Sequence, residues 1–170
     1  MTLRVWSTPT PIGTWTIIID EGDVVVVSGF ESVEETVSRL GDGVDPPQAV
    51  NDLGPVSDAV RRYLAGEANA LDSVSVRQPG GPFRQSVWQI MREVPAGSTW
   101  SYTELATKAG NADASRAAAS ACATNKVAPF VPCHRIVRSD GSLGGYYYGL
   151  DAKRWLLAHE QAIQAQTTLL

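Results

Sequence analysis

The hexapeptide "RQPGGP" (77–82) constrains this chain more than any other stretch. Two prolines and two glycines so close together make a segment that neither a helix interior nor a central strand would cross. It divides the chain into halves of different character. The division predicts one domain over residues 1–76 and a second over 77–170.

Upstream, β-branched residues dominate. "TWTIIID" (14–20) and "VVVVSGF" (24–30), separated by Asp, Glu and Gly, read as a hairpin. "SVEETVSRL" (32–40) reads as a short helix capped by Ser32 and ended by the loop "GDGVDPP" (41–47). "PVSDAVRRYLAG" (55–66) starts on a proline and stops at Gly66 in the manner of a helix, and "LDSVSV" (71–76) reads as a strand.

Downstream the pattern turns helical. "FRQSVWQIMREV" (83–94) sets Phe83, Val87, Ile90 or Met91, and Val94 along one helical face. "SYTELATKAG" (101–110) opens with a capping box between Ser101 and Glu104, and Gly110 suits a left-handed stop. The turn "NAD" then leads to "ASRAAASACATN" (114–125), capped by Asp113. Two short helices joined by a tight turn fit a helix-turn-helix, or an ordinary αα-hairpin. The second helix is almost all Ala and Ser, with Arg116 the one charge in its first turn. Such a helix can approach another surface closely, whether a neighbouring helix or the minor groove of DNA.

Composition narrows the function classes. A hydrophobic fraction of 44% with 19% charged residues describes a globular rather than a disordered chain. No apolar run approaches the roughly 20 residues needed to span a bilayer. "MTLRVWSTPTPIG" lacks the apolar core of a secretory signal, so the expected address is the cytoplasm, with no membrane partner. A four-ligand zinc site would need Cys122, Cys133, His134 and His159 together, at spacings no zinc module uses, so no metal is expected. Residues 1–76 set four arginines against twelve carboxylates, a net −8, while 77–170 set ten Lys or Arg against six, a net +4. The second half is therefore the one suited to an anionic partner.

"VPCHRIV" (131–137) gathers the reactive residue types. Pro132 restricts Val131 and fixes the entry angle of the Cys133 thiol. His134, Arg135, Lys126 and Arg138, with no carboxylate among residues 125–138, favour the thiolate. On a strand, adjacent side chains point to opposite faces, so His134 would need a bend or a bridging water to reach Cys133. A carboxylate should orient the imidazole, and spacing alone does not choose among Glu104, Asp151 and Glu160.

"FRQSVWQIMREVPAGSTWSYTELA", then "SRAAASACATNKVAPFVPCHRIVRSDGSLGGYYYGLDAKRWLLAHE", closely resembles the O6-alkylguanine-DNA alkyltransferases, also called methylated-DNA–protein-cysteine methyltransferases. The likeness is nearest the bacterial adaptive-response and Ogt-type branch, and upstream only "TPIGTWTI" is similar. The resemblance implies an α+β chain: a small ribonuclease-H-like sheet domain, then a mainly helical, winged-helix-type domain holding the helix-turn-helix. It implies DNA repair by direct reversal, in which Cys133 irreversibly takes the alkyl group from O6-alkylguanine in duplex DNA, with O4-alkylthymine a second candidate. It also implies His134 as base through a water, Glu160 as its orienting carboxylate, and Tyr102 as the phenol that turns the target phosphate and protonates guanine. Arg116 would fill the gap left by the flipped base, and Tyr102, Thr103 and Ser115 would meet DNA beside it. Tyr146 and Tyr147, the Ile136 carbonyl and the hinge residue Asn125 complete the substrate side. No cofactor is implied, and one chain would act as a monomer.

Bland readings stand beside these. Tyr102 could be a packed aromatic, Asn125 a helix cap, His159 a surface residue, Arg135 a structural ion-pair partner, and Trp88, Leu156 and Leu157 core. Rival functions are an alkyltransferase-like protein that binds damage without transfer, a cysteine hydrolase, and a sequence-specific helix-turn-helix regulator. Cys133 argues against the first, since those proteins lack the cysteine. Zinc ligands of some relatives' first domains are absent, as is the methylphosphotriester-repair domain, so a single activity is expected. Tyr147 and Tyr148 stand where some relatives have serine and glycine, and their bulk should narrow the base pocket. Methyl transfer should thus be efficient while O6-benzylguanine labels Cys133 poorly. Rapid labelling by that compound, followed by intact mass, would contradict this.

Overall fold

A computed structural model describes residues 2–163 of the chain. The expected end of the second domain, at residue 170, lies outside them. The chain divides into two compact units: residues up to Pro79 with Asn125–Val131, and Gly80–Thr124 with the chain from Pro132 onward.

The first unit is built on a sheet of order β3-β2-β1-β4, comprising β1 (Arg4–Thr10), β2 (Gly13–Ile19), β3 (Val25–Gly29) and the two-residue β4 (Gln48–Ala49). The expected hairpin is β2–β3, antiparallel with Ile18 opposite Val27. β1 carries no strong alternation and the sequence reading passed over it. It pairs along its whole length with β2, from Arg4–Ile19 to Thr10–Gly13. β4 covers only Arg4 and Val5, so Pro9 lies on an edge stretch, where strands tolerate proline.

Alternation along β2 explains its continuous apolar run, because both faces are covered. Ile18 packs with Leu3, Val5 and Val27 and meets Val37 of helix α1 (Val33–Ser38). Trp15, on the other face, is fully buried among Phe30, Tyr63 of helix α2 (Pro55–Leu64) and Phe130, with ring centroids 5.3–6.0 Å away. Its indole N–H donates to Ser28 Oγ at 2.9 Å. The Ser32 capping box on α1 is present as expected. The expected strand 71–76 is not: Ala70–Ser73 form a 3-10 turn that buries Ala70 and Leu71, and only Val76 bridges to Val25. A single helical turn buries adjacent residues together, which strand alternation cannot do.

The segment Asn125–Val131 is tied into this unit by side-chain amides. Asn125 Nδ2 donates to the Val131 carbonyl at 2.8 Å, and its Oδ1 accepts from the Val127 amide and from Gln78 Nε2. Gln78 Oε1 in turn accepts from the Lys126 amide at 2.8 Å.

In the second unit, α3 (Pro82–Met91) packs on α4 (Tyr102–Lys108) and α5 (Ser115–Ala123). Trp88 is core, donating its indole N–H to the Ala121 carbonyl at 2.8 Å. The Ser101–Glu104 capping box opens α4 as expected. Asp113 does not cap α5: the N-cap is Ala114, with no side-chain bond, and Asp113 lies inside a turn in which the Asn111 carbonyl accepts from the Ala114 amide and Asn111 Oδ1 accepts from the Asp113 amide. Two short strands, β5 (Trp100–Ser101) and β6 (Ile136–Val137), pair in parallel, and α6 (Leu150–His159) follows. No helix among the described residues is long and apolar enough to cross a membrane.

Because Trp15 fills the space between three other rings, Trp15→Ala should cost about 3–5 kcal/mol. Urea unfolding should show the loss as a lower midpoint at unchanged slope. A loss below about 1 kcal/mol would mean the aromatic cluster is not the core of this unit.

Candidate active site

Helix α6 buries Lys153, Leu156, Leu157 and, at its C-cap, Glu160. These sit at spacings i, i+3, i+4 and i+7, one apolar stripe in which two positions are charged. That placement selects Glu160 from the three carboxylates the sequence left open. Asp151 is exposed beside Arg154, and Glu104 accepts from the Ser101 amide in the capping box.

The residues Cys133–Arg135 do not lie on a strand. They form a 3-10 turn leading into β6. With about three residues per turn, consecutive side chains fan out by roughly a third of a circle rather than opposing one another. His134 and Arg135 can therefore reach one carboxylate. His134 Nε2 lies 2.9 Å from Glu160 Oε2. Arg135 grips the same group with Nε on Oε1 at 2.8 Å and Nη2 on Oε2 at 3.1 Å, and its Nη1 donates to the Val94 carbonyl. All three side chains are buried, at 3% exposure or less. Arg135 is thus the ion-pair partner of the site's carboxylate.

Protonation states follow from this geometry. Burial alone would raise the Glu160 carboxyl, but His134 and Arg135 together hold it well below the ordinary carboxylate range. Burial pushes the His134 pKa down, outweighing the pull of Glu160 in the other direction. The imidazole is neutral near pH 7 and donates its Nε2–H to Glu160. Its Nδ1, buried and without a hydrogen-bond partner among the described residues, keeps its lone pair.

Cys133 opens on a cavity of about 340 Å³ lined by Tyr102, Ala119, Cys122, Cys133, Tyr146 and Tyr147, with Ala123 and Gly145 completing the wall. Tyr102 enters from the first turn of α4. Its hydroxyl is 3.1 Å from where a Cβ on Gly144 would stand, and Gly144 is at φ +72°, so only glycine suits that position. Burial, then the charges of Cys122 and Cys133, push the Tyr102 phenol up to about 12. Tyr146 stands edge-on to His134 with centroids 6.4 Å apart. Tyr148 braces the group, 5.6 Å from Tyr146 and 4.8 Å from Tyr147. Tyr148 itself is not part of the cavity wall, and Tyr147 is 66% exposed at its lip.

Two residues of this site escaped the sequence reading. Lys153 Nζ is buried and donates to the carbonyls of Ile136, Leu143 and Gly145, holding the cavity loop to β6. A lysine inside the apolar stripe of α6 was the available signal. Cys122, on α5, lines the cavity beside Cys133. The remaining residues singled out in sequence lie elsewhere. Arg116 and Thr103 are exposed and Ser115 half-buried, at the starts of α5 and α4; Arg116 has no side-chain partner among the described residues, and Thr103 lies 3.4 Å from Ser139 Oγ. Ile136 is buried with its carbonyl on Lys153, and Asn125 belongs to the first unit. His159 is half-buried, stacked on Trp155 at 4.6 Å.

A buried carboxylate–imidazole pair, next in sequence to a thiol that lines an apolar cavity together with a phenol, suits transfer of a group to sulfur. Comparison with known proteins points to one family. The family model of the 6-O-methylguanine DNA methyltransferase DNA-binding domain matches residues 82–162. A methylated-DNA–protein-cysteine methyltransferase of Shigella flexneri is 34% identical over 157 residues, covering 89% of this chain and 91% of that protein. The bifunctional transcriptional activator/DNA repair enzyme Ada of Escherichia coli K12 is 52% identical over 81 residues, 48% of this chain and 23% of that protein. Among solved structures, Mycobacterium tuberculosis OGT in complex with DNA matches with a TM-score of 0.76 at 29% identity, covering 95% of this chain and 94% of that one. The chain belongs to the methylated-DNA–protein-cysteine methyltransferase family.

The buried triad sets an acid limit to stability. Below the ordinary histidine value of 6.5 the unfolded chain takes up a proton that the buried His134 refuses, so stability falls as pH falls. Below 4.5 the unfolded Glu160 protonates before the folded one, and the loss steepens. Urea titrations from about pH 8 down to about pH 4 should trace both limbs. Glu160→Gln should shrink the lower limb, leaving the part due to Asp20, Asp52 and Asp140, and cost about 3–5 kcal/mol at neutral pH, because Arg135 loses its buried counter-charge. A flat profile in the parent protein would contradict the assignment.

Proposed function

We propose that this protein repairs DNA by taking the alkyl group from O6-alkylguanine in a duplex onto Cys133, once per molecule. The observation that carries the reading is the buried cluster Arg135–Glu160–His134 that follows directly in sequence on a cysteine lining an apolar cavity. Glu160 accepts a hydrogen bond from His134 Nε2–H, which leaves Nδ1 to draw the thiol proton of Cys133 through one bridging water. The thiolate attacks the alkyl carbon, the carbon–O6 bond breaks, and a thioether forms. Guanine would leave poorly as an anion, so Tyr102, still protonated at neutral pH, supplies a proton to the departing base. The thioether is stable and no group on the cavity wall reverses it, which makes the reaction stoichiometric.

An alkyl group at O6 is out of reach while its base is stacked, so the base must be flipped at a cost of a few kcal/mol. Helix α5 suits that task. Its Ala and Ser side chains allow close approach to the minor groove, and Arg116 is free to occupy the gap. Thr103, Ser115 and Tyr102 are suited to phosphate contacts beside it. Tyr146 and Tyr147 offer faces for the guanine, and Lys153 holds the loop that carries Gly145 in register with Ile136. The chain acts as a monomer, since one copy contains the whole set. Two reduced cysteines fit the cytoplasm.

The test is incubation with duplex DNA carrying labelled O6-methylguanine. One label per protein, on Cys133, is expected, with none on Cys133→Ala. Tyr102→Phe should still react but about a hundredfold more slowly, the usual scale for a lost general acid. Turnover on an ester or amide with no label on sulfur would instead support a cysteine hydrolase.

A further inference from the structure

The chain contains two cysteines, and both line the same cavity. Cys133 comes from the turn at 133–135 and Cys122 from the last full turn of α5. Both are free thiols. The relay described above uses only the first, and Cys122 has no role in it. Its neighbours on the wall, Ala119 and Ala123, add only methyl groups, so Cys122 brings the one reactive atom of that side.

The geometric ground for pairing the two sulfurs is the single cavity that both line, and their electrostatics are consistent with it. Cys122 and Cys133 share the wall of one cavity of about 340 Å³, and a disulfide between them needs a Cα separation of roughly 4.4–6.8 Å. The charge of Cys133 also opposes ionisation of Cys122, after burial the second cause that holds its thiol proton firmly in place. Both sulfurs act on a third group of the same wall, the Tyr102 phenol. While Cys133 is a thiolate, the retained proton keeps Cys122 from competing for an alkyl group; once oxidation has made Cys133 a neutral sulfenic acid, that opposing charge is gone and Cys122 can act as the nucleophile.

We propose that Cys122 is the resolving thiol of Cys133, closing a disulfide across the cavity after a hydroperoxide has oxidised the nucleophile. The inference rests on the reading of Cys133 as the reactive cysteine. In the first step the Cys133 thiolate attacks the peroxide. The O–O bond breaks, sulfur loses two electrons and becomes the sulfenic acid, and alkoxide or hydroxide leaves. In the second step the Cys122 sulfur attacks the sulfenic sulfur. The S–S bond forms, the S–O bond breaks, and the Cys122 proton departs with the hydroxyl as water. The product can be returned to two thiols by a dithiol, whereas further oxidation of an unresolved sulfenic acid to sulfinic acid cannot. A protein that uses its nucleophile once gains from this: oxidation stores the thiol instead of destroying it.

The test treats the reduced full-length protein with equimolar hydrogen peroxide, then reads intact mass, peptide map and methyl transfer before and after dithiothreitol. Wild type should lose two hydrogens, yield one cross-linked peptide joining Cys122 to Cys133, stop transferring, and recover on reduction. Cys122→Ser and Cys122→Ala should instead gain two oxygens at Cys133 and recover nothing, each judged against its own untreated transfer. Wild type gaining two oxygens at Cys133 as fast as the variants, with no cross-link, would overturn the proposal. The mass readout does not depend on repair. A cross-link in a protein that transfers no methyl group when untreated would overturn the proposed function and leave the cysteine pair standing.

Discussion

One carboxylate organises the buried polar groups of the second unit. Glu160 is buried at the end of α6, where an unpaired charge would be strongly unfavourable, and it is held there by a two-pronged grip from Arg135 and by the ring of His134. Because Arg135 neutralises it, Glu160 stays ionised; because it stays ionised, the imidazole proton sits on Nε2 and the basic nitrogen is the other one. The protonation pattern of the site is thus a consequence of where α6 ends relative to the turn at 133–135. The same Arg135 donates to Val94, so the carboxylate also anchors the residues that follow α3.

Lys153 has the matching role about two helical turns earlier on α6. Its ammonium is buried and spread over three carbonyls, from Ile136, Leu143 and Gly145, and the cavity loop hangs from it. Burial pushes its pKa down, with Cys133 and Cys122 opposing that shift, so the same cation that holds the loop also favours thiolate in the cavity. A stripe with Leu156 and Leu157 at its middle and opposite charges at its ends positions the base on one side and the wall of the cavity on the other.

What was legible in sequence had short-range causes. The capping boxes at Ser32 and Ser101 are contacts within one turn, and the β2–β3 hairpin follows from local alternation and the residues between. The failures were tertiary. β1 is a strand because β2 pairs with it, not because its own residues alternate, and Ala70–Ser73 coil because Ala70 and Leu71 must be buried side by side. Asp113 was a reasonable cap with no local competitor in view, until the Asn111 turn closed without it. At the site, Cys133, His134 and Arg135 stood out by adjacency and Glu160 by resemblance. Lys153 and Cys122 were passed over because a lysine in a helix and a cysteine among alanines look ordinary until their surroundings are known.

The sequence by itself determined that a thiol with basic neighbours follows a helix pair whose second member is small enough to lie close to DNA, since these are properties of residue type and spacing. Only the tertiary structure decided which carboxylate meets the histidine, which ring nitrogen keeps its lone pair, and that both cysteines line one cavity. Those outcomes depend on where distant segments meet in a low-dielectric interior, where one hydrogen-bond partner sets a charge and burial decides which proton stays. No local pattern encodes such meetings, and the chemistry of this protein rests on them.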